Sequence, residues 1–292
     1  MKNILYILTF TTLVSCNGNS KQKKEQPVAK SIEPKLELIW ESDTTLRTPE
    51  SVLIDTENDI LYISNINSNP WEKDGNGFIS KMDREGNIIE LNWVEGLSAP
   101  KGMGLSGNKL FVADIDELVE IDVKLAMIVA RYPASSGAML NDVTIDEEGN
   151  VYVSASGTSK IYKLAKGILA PVYEGNGDER FNGLYCEKDR MLLITSATSQ
   201  FLEIPWETME ANLISENMGA GDAICAVGDG AYITTSWAGT IFYVAADGKV
   251  TTLLDTQEIG ENTADADFCI KDQILYVPTF FKNQVKAYKL TH

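Results

Sequence analysis

The sequence predicts an all-β fold: a six-bladed β-propeller of four-stranded blades, closed by an N-terminal strand. Three observations carry that reading. An apolar triplet with a mostly aromatic centre, standing just after a turn, recurs six times: Leu61-Tyr62-Ile63, Leu110-Phe111-Val112, Val151-Tyr152-Val153, Leu192-Leu193-Ile194, Ala231-Tyr232-Ile233 and Leu275-Tyr276-Val277. The centres lie 49, 41, 41, 39 and 44 residues apart, and internal periods of that size mark propellers, solenoids or arrays. Each period has room for several short strands joined by tight turns, and no convincing helical stripe follows the N-terminal region.

The N-terminus reads as a targeting segment. Lys2 is a short basic region, Ile4 to Leu13 is an apolar run of ten, and Leu13-Val14-Ser15-Cys16 resembles a bacterial lipoprotein cleavage box. A run that short does not span a bilayer as a mature helix. Residues 1–15 are therefore expected to be a lipoprotein signal peptide, with Cys16 as the lipidated residue; a plain secretory signal is the alternative. Residues 16–34 are polar, Lys-rich and free of aromatics after the cysteine, as a tether is. This places the chain at the bacterial cell envelope, periplasmic or outer-membrane-associated, with a lipid as its only membrane contact. The propeller then occupies residues 35–292.

Lys35 to Trp40, KLELIW, is a strand without repeat partners. Each repeat that follows is expected to hold four strands. In the third, Asp142 to Asp146 alternates, a Glu-Glu-Gly-Asn turn follows, and Val151 to Ser154, Lys160 to Leu164 and Leu169 to Tyr173 complete the set. Ala211 to Glu216 could pass for helix but lies where a fourth strand is due. The last repeat ends after three strands with Gln284 to Leu290, so the N-terminal strand is expected to be its outer strand.

Ten to twelve residues before the triplet centres stand Glu50, Lys101, Asn141, Asn182, Asp222 and Asp265. Each is expected to open an innermost strand, so that six polar side chains converge on one mouth of the axial channel. Turn chemistry alone explains the Asn and Asp positions, because those side chains satisfy nearby backbone groups. It explains Glu50 and Lys101 badly. Three carboxylates packed together repel one another unless a cation lies between them, and carboxylate and amide oxygens suit a hard divalent ion. The expected cofactor is Ca²⁺, alternatively Mg²⁺, Mn²⁺ or Zn²⁺, held among the oxygens of this ring, with the Asp265 carboxylate as one candidate ligand. Lys101 is expected to neutralise a carboxylate or to face an anionic ligand.

Pro49-Glu50, Leu140-Asn141-Asp142, Phe181-Asn182-Gly183-Leu184 and Gly221-Asp222 resemble the regucalcin/gluconolactonase (senescence-marker-protein-like) family, six-bladed propellers with a divalent metal in the channel. The resemblance covers about residues 36 to 292 and implies a metal-dependent hydrolase acting on a lactone or related ester. It implies Glu50, Asn182 and Asp222 as metal ligands, Asp222 also as general base, and Asn141 as a substrate contact. Lys101 lies outside the family's pattern. NHL-like propellers share the blade pattern, so a non-catalytic propeller that binds a ligand or a protein is the alternative.

Composition narrows the chemistry. The net charge of −17 argues against nucleic acid as a partner and suits cations; aromatics beside the polar ring make a small molecule the expected ligand. The only histidine is His292, which excludes a Ser-His-Asp triad and a His-ligated zinc in practice. Cys186, Cys225 and Cys269 lie in short apolar runs and read as buried unpaired thiols. The loops after the triplets hold Asn65, Asp114, Ser196, Thr235, Ser236, Trp237, Phe280 and Phe281, and should reach the same mouth as the ring. Trp237 is the expected aromatic contact for a substrate, with packing between blades as the other role open to it. Residues 65–77 lengthen the first repeat and could cover the mouth as a lid.

Overall fold

The computed structural model describes residues 33–292; the expected signal peptide, Cys16 and the tether up to residue 32 lie outside the described residues. Six four-stranded antiparallel sheets follow one another along the chain. Blade 1 is β2 (Pro49–Asp55), β3 (Ile60–Asn65), β4 (Gly77–Asp83) and β5 (Ile88–Leu97); blade 2 is β6 (Pro100–Ser106), β7 (Lys109–Asp114), β8 (Glu117–Asp122) and β9 (Met127–Pro133). Blade 3 is β10 (Leu140–Ile145), β11 (Val151–Ala155), β12 (Lys160–Ala165) and β13 (Ile168–Glu174); blade 4 is β14 (Phe181–Cys186), β15 (Arg190–Thr195), β16 (Gln200–Pro205) and β17 (Asn212–Glu216). Blade 5 is β18 (Gly221–Gly228), β19 (Ala231–Ser236), β20 (Thr240–Val244) and β21 (Val250–Asp255). Blade 6 joins β22 (Asp267–Cys269), β23 (Ile274–Pro278) and β24 (Val285–Thr291) to β1 (Lys35–Glu41). The expected propeller and its closing strand are both present.

The strand sequences follow from where each strand lies. The second strand of a blade is covered on both faces by neighbouring blades, so β11 (VYVSA) is buried throughout and reads as a continuous apolar run. The outer strand has one wet face, and β9 (MIVARYP) alternates between exposed and half-buried residues. The core is not a single mass. Six clusters form a cycle, each packed between two adjacent blades, and a smaller seventh gathers around Phe280. Leu61, Ile63 and Met82 of blade 1 meet Tyr276 and Ala287 of blade 6 in the cluster that joins the chain's two ends.

Closure is specific in its register. Leu36 pairs with Leu290 and Trp40 with Ala287. Ser42 continues the match: its N–H donates to the Val285 carbonyl at 2.9 Å, and its hydroxyl accepts the Val285 N–H at 3.0 Å. The Trp40 ring lies 5.8 Å from Tyr276 and covers Gly86, where a Cβ would come within 2.7 Å of the indole. Gly86 also has φ +90°, so two separate requirements select glycine there.

Candidate functional site at the channel mouth

Glu50, Lys101, Asn141, Asn182 and Asp222 are each the second residue of an innermost strand, β2, β6, β10, β14 and β18. In all five strands the pairing register shifts at this point: between Pro49 and Ser51, Pro100 and Met103, Leu140 and Val143, Phe181 and Leu184, and Gly221 and Ile224. Such a bulge inserts an unpaired residue and re-aims its side chain. The N–H that the bulge releases needs a partner. A hydroxyl on the second strand supplies it in three blades: Ser64 accepts from Ser51 N, Ser154 from Asp142 N and Thr235 from Ala223 N, each at 2.9 Å. A strand-opening bulge and a hydroxyl one strand out are thus the local device that turns a polar side chain toward the axis.

All five residues line one cavity of about 460 Å³ at the mouth. Asp265 does not. In the first repeat the ring residue stands twelve positions before the aromatic centre, and the same count in the sixth repeat gives Ala264. The pairings agree: Leu53 faces Tyr62 three residues after Glu50, and Asp267 faces Tyr276 three residues after Ala264. Asp265 therefore takes the position of Ser51, and the Ser51 hydroxyl donates to its Oδ2 at 2.6 Å. It lines a second cavity, of about 210 Å³, to which all six inner strands contribute, along with Asp142 and Asp267. The last two carboxylates act as staples between blades. Asp142 accepts from Leu184 N at 2.7 Å and Asp267 from Ile54 N at 2.9 Å.

Burial dominates the electrostatics of the ring. It pushes the Glu50 carboxyl well above the usual range, against the lowering influence of Lys101, with Asp222 and Asp142 adding to the rise. It pushes Asp222 up to about 7, against the Asn182 amide and Lys101. It lowers Lys101, against Glu50 and Asp222. Lys101 approaches neither ring carboxylate closely enough to pair with it. Its Nζ donates to the Pro70 carbonyl at 3.0 Å and lies 4.3 Å from the Trp71 ring centre. Pro70 and Trp71, from the long loop of the first repeat, line the cavity as the lid expectation requires.

Two buried oxygens here have no hydrogen-bond partner, Glu50 Oε2 and Asn182 Oδ1. An unmet buried acceptor costs about 1–3 kcal/mol, and two on one cavity wall, beside the Asp222 carboxylate, fit a cation better than turn chemistry does. Among the described residues no three carboxylates, thiols or imidazoles converge as a ligand cluster. An ion here would rest on two carboxylates and amide oxygen, a set of hard donors suited to Ca²⁺, Mg²⁺ or Mn²⁺ more than to zinc.

The loops after the second strands divide. Ser196, Trp237, Phe280 and Phe281 line the cavity. Asn65, Asp114 and Thr235 instead serve the backbone: Asn65 Oδ1 accepts from Arg47 N, Asp114 from Ser98 N and Ala99 N, and the Thr235 hydroxyl donates to the Ala264 carbonyl. Trp237 packs edge-on against Phe280 at 5.4 Å, the role between blades, and at the same time stands on the cavity wall. Cys186, Cys225 and Cys269 are unpaired, the first half-buried and the others buried. Arg180 lines the cavity and was not singled out from the sequence. The available signal was its offset: it stands two residues before Asn182, as Thr48 does before Glu50 and Met139 before Asn141.

Fold and mouth together define a six-bladed propeller with a polar, partly aromatic axial pocket. Solved structures of that fold cover 89% of this chain. One is a catalytically inactive histidine-to-alanine variant of virginiamycin B lyase from Staphylococcus aureus with quinupristin (TM-score 0.64, 13% identity, 100% of that chain). Another is the selenomethionine-substituted lyase from the same organism (0.65, 13%, 100%), and a third is a streptogramin B lyase (0.63, 14%, 98%). At such identity the likeness is one of fold. This chain's single histidine, His292, lies against Tyr243 at 6.1 Å and does not line the mouth. No family model matches the chain, and no curated protein matches it in sequence.

Proposed function

We propose that the chain is a cation-assisted hydrolase of the gluconolactonase type, acting on a lactone or related ester at the channel mouth. The observation that supports it most directly is the pair of orphaned oxygens, Glu50 Oε2 and Asn182 Oδ1. Glu50, Asn182 and Asp222 are the residues that would hold a divalent ion, Ca²⁺ or alternatively Mg²⁺, Mn²⁺ or Zn²⁺. When bound, the ion supplies Lewis-acid polarisation of a carbonyl oxygen. Asp222 takes the proton from the attacking water. Burial raises this carboxyl in the cation-free chain; with the ion held, the carboxylate oxygen left free of it is the one that can accept the proton. Asn141, whose Nδ2 donates to Ser156 Oγ at 3.1 Å, is fixed for orienting the substrate, and the Pro70–Trp71 loop limits water.

The test is thermal unfolding with each cation, then a lactone panel followed by proton release. A cation that binds only the folded chain raises the melting temperature. Turnover should require the cation and should vanish in Asp222→Ala. Turnover that survives in Asp222→Ala assigns the base elsewhere.

One observation favours a second reading. The buried Lys101 ammonium already offsets part of the ring's negative charge, so the mouth could bind a small molecule without an ion or a reaction. Ligand binding that ignores added cation, with no turnover on any ester, would select that reading. In either case the chain is proposed to work at the bacterial cell envelope on a lipid at Cys16, which labelling with a radioactive fatty acid in wild type and Cys16→Ala tests.

A further inference from the structure

We infer that the ligand of this mouth is an organic anion with a flat, apolar body, whose anionic group is received by Arg180 and whose body lies against Trp237, Phe280 and Phe281. The inference rests on the mouth being the site of ligand binding, as proposed above.

The other arginines of the described residues are all engaged. Arg84, Arg131 and Arg190 each meet a carboxylate, and the Arg47 guanidinium donates to the Thr44 and Leu46 carbonyls. The Arg180 guanidinium does neither among the described residues, in a chain with 42 acidic side chains to choose from. Its main chain, by contrast, is held firmly: its N–H donates to Ser159 Oγ at 3.1 Å, and its carbonyl accepts from Ser196 N at 3.0 Å and Ser196 Oγ at 3.2 Å. The left-handed φ of +55° is not itself the signal, because Thr48 and Met139 share it at the same blade position. What distinguishes this blade is a fixed post that carries an uncommitted guanidinium to the cavity. A guanidinium presents paired donors that fit a carboxylate or a phosphate.

Blades 5 and 6 supply the apolar side. Trp237, Phe280 and Phe281 pack edge-to-face, with centres 4.8–6.0 Å apart. The Trp237 N–H donates to the Ala220 carbonyl and its carbonyl accepts from Asn262 Nδ2, both at 2.8 Å, so the indole stands on a braced loop. Even so, Trp237 is 37% and Phe281 63% exposed. Two large rings left open on a cavity wall offer stacking area to a flat ligand. The floor sets the ligand's orientation. In the cation-free mouth the Glu50 and Asp222 carboxyls, offset only in part by Lys101, disfavour an anionic group beside them, so the charge belongs at Arg180 and the neutral reacting portion over the ring.

The test is calorimetric titration of the full chain with 1-naphthoate and with its neutral isostere 1-naphthamide. Naphthoate should bind about tenfold more tightly than the amide, as a charge-assisted pair allows. Arg180→Gln should erase that preference, and Phe281→Ser should weaken both probes. Both substitutions are at exposed side chains, and unchanged melting temperatures check the fold. Equal affinity for the two probes, no binding of either, or a preference that persists in Arg180→Gln overturns the inference. Melting shifts with Ca²⁺ on the same proteins separate the two proposals. A cation shift without naphthoate preference defeats this inference alone, and the reverse defeats only the cation reading.

Discussion

Gly183→Ala tests how the ring is built. Gly183 lies inside the bulge that opens β14, one residue after Asn182. A Cβ there would stand 1.9 Å from the Asp222 carbonyl oxygen and 2.9 Å from Ile194 Cγ2. The first contact is with backbone, so no rotamer relieves it, and β14 and β18 must separate by roughly 1 Å or more. That separation falls between Asn182 and Asp222 themselves. Overpacking of this kind costs about 1–3 kcal/mol and occasionally more. In a domain of this size that is a fall of about 2–12 °C in melting temperature. Gly104→Ala is the control: it too lies on an inner strand, but its Cβ meets only side-chain carbons of Val143 and Ile145, at 3.0–3.2 Å. Urea unfolding and the Ca²⁺-induced melting shift should be measured on both. Gly183→Ala should lose stability and most of the cation shift, whereas Gly104→Ala should lose little of either. If the two behave alike, the close approach of β14 to β18 is not what sets the spacing of Asn182 and Asp222.

Three further outcomes follow from the same geometry. Burial holds Asp267 at about 6 and Asp142 at about 7, so the folded chain keeps protons that the unfolded chain has released. Without divalent cation, stability should therefore fall as pH rises from 4 to 8, by about 3 kcal/mol from Asp267 alone, read from urea midpoints. Removing residues 1–34 should leave the melting temperature unchanged, whereas removal through Ser42 strips the outer strand from blade 6 and should lower it by at least about 5 °C. Asp222→Asn should weaken cation binding roughly tenfold or more while stabilising the cation-free protein at pH 8, because it removes a buried carboxylate; Asp255→Asn, which alters only the contact to Gln257 N, should do neither.

The propeller was legible because its signal is redundant. Six triplets, their spacing and an unpartnered first strand all name the same architecture, and even Ala211 to Glu216, ambiguous in isolation, was decided by its place in the period and is strand as β17. Five ring residues were legible for the same reason. The sixth was not, because a count of ten to twelve residues tolerates a one-residue slip, and in a strand one residue is a different face. Arg180 escaped because its position just before β14 repeats in other blades as Thr48 and Met139, with no shared side-chain chemistry to mark it. The orphaned oxygens of Glu50 and Asn182 were beyond the sequence altogether, since a missing partner is a fact about three-dimensional neighbours.

The slip at Asp265 bears on how a six-fold fold acquires a one-sided site. Five blades place a polar side chain at the mouth, and the sixth places Ala264 there. That small residue packs with Ala99, Ile66 and Ile115 around Phe280 in one apolar cluster. A longer side chain at position 264 would occupy the space that Phe280 fills, and the edge-to-face contact of Phe280 with Trp237 and Phe281 depends on that seat. The alanine thus does two things at once. It keeps a third carboxylate from adding to the repulsion between Glu50 and Asp222, and it seats the aromatic wall on the side of the cavity formed by blades 5 and 6. A fully symmetric ring would present the same chemistry in every direction and could orient nothing. Here carboxylate and amide oxygens line the floor, a guanidinium stands on blade 4 and flat rings stand on blades 5 and 6, so a molecule with distinct ends has a preferred way to lie.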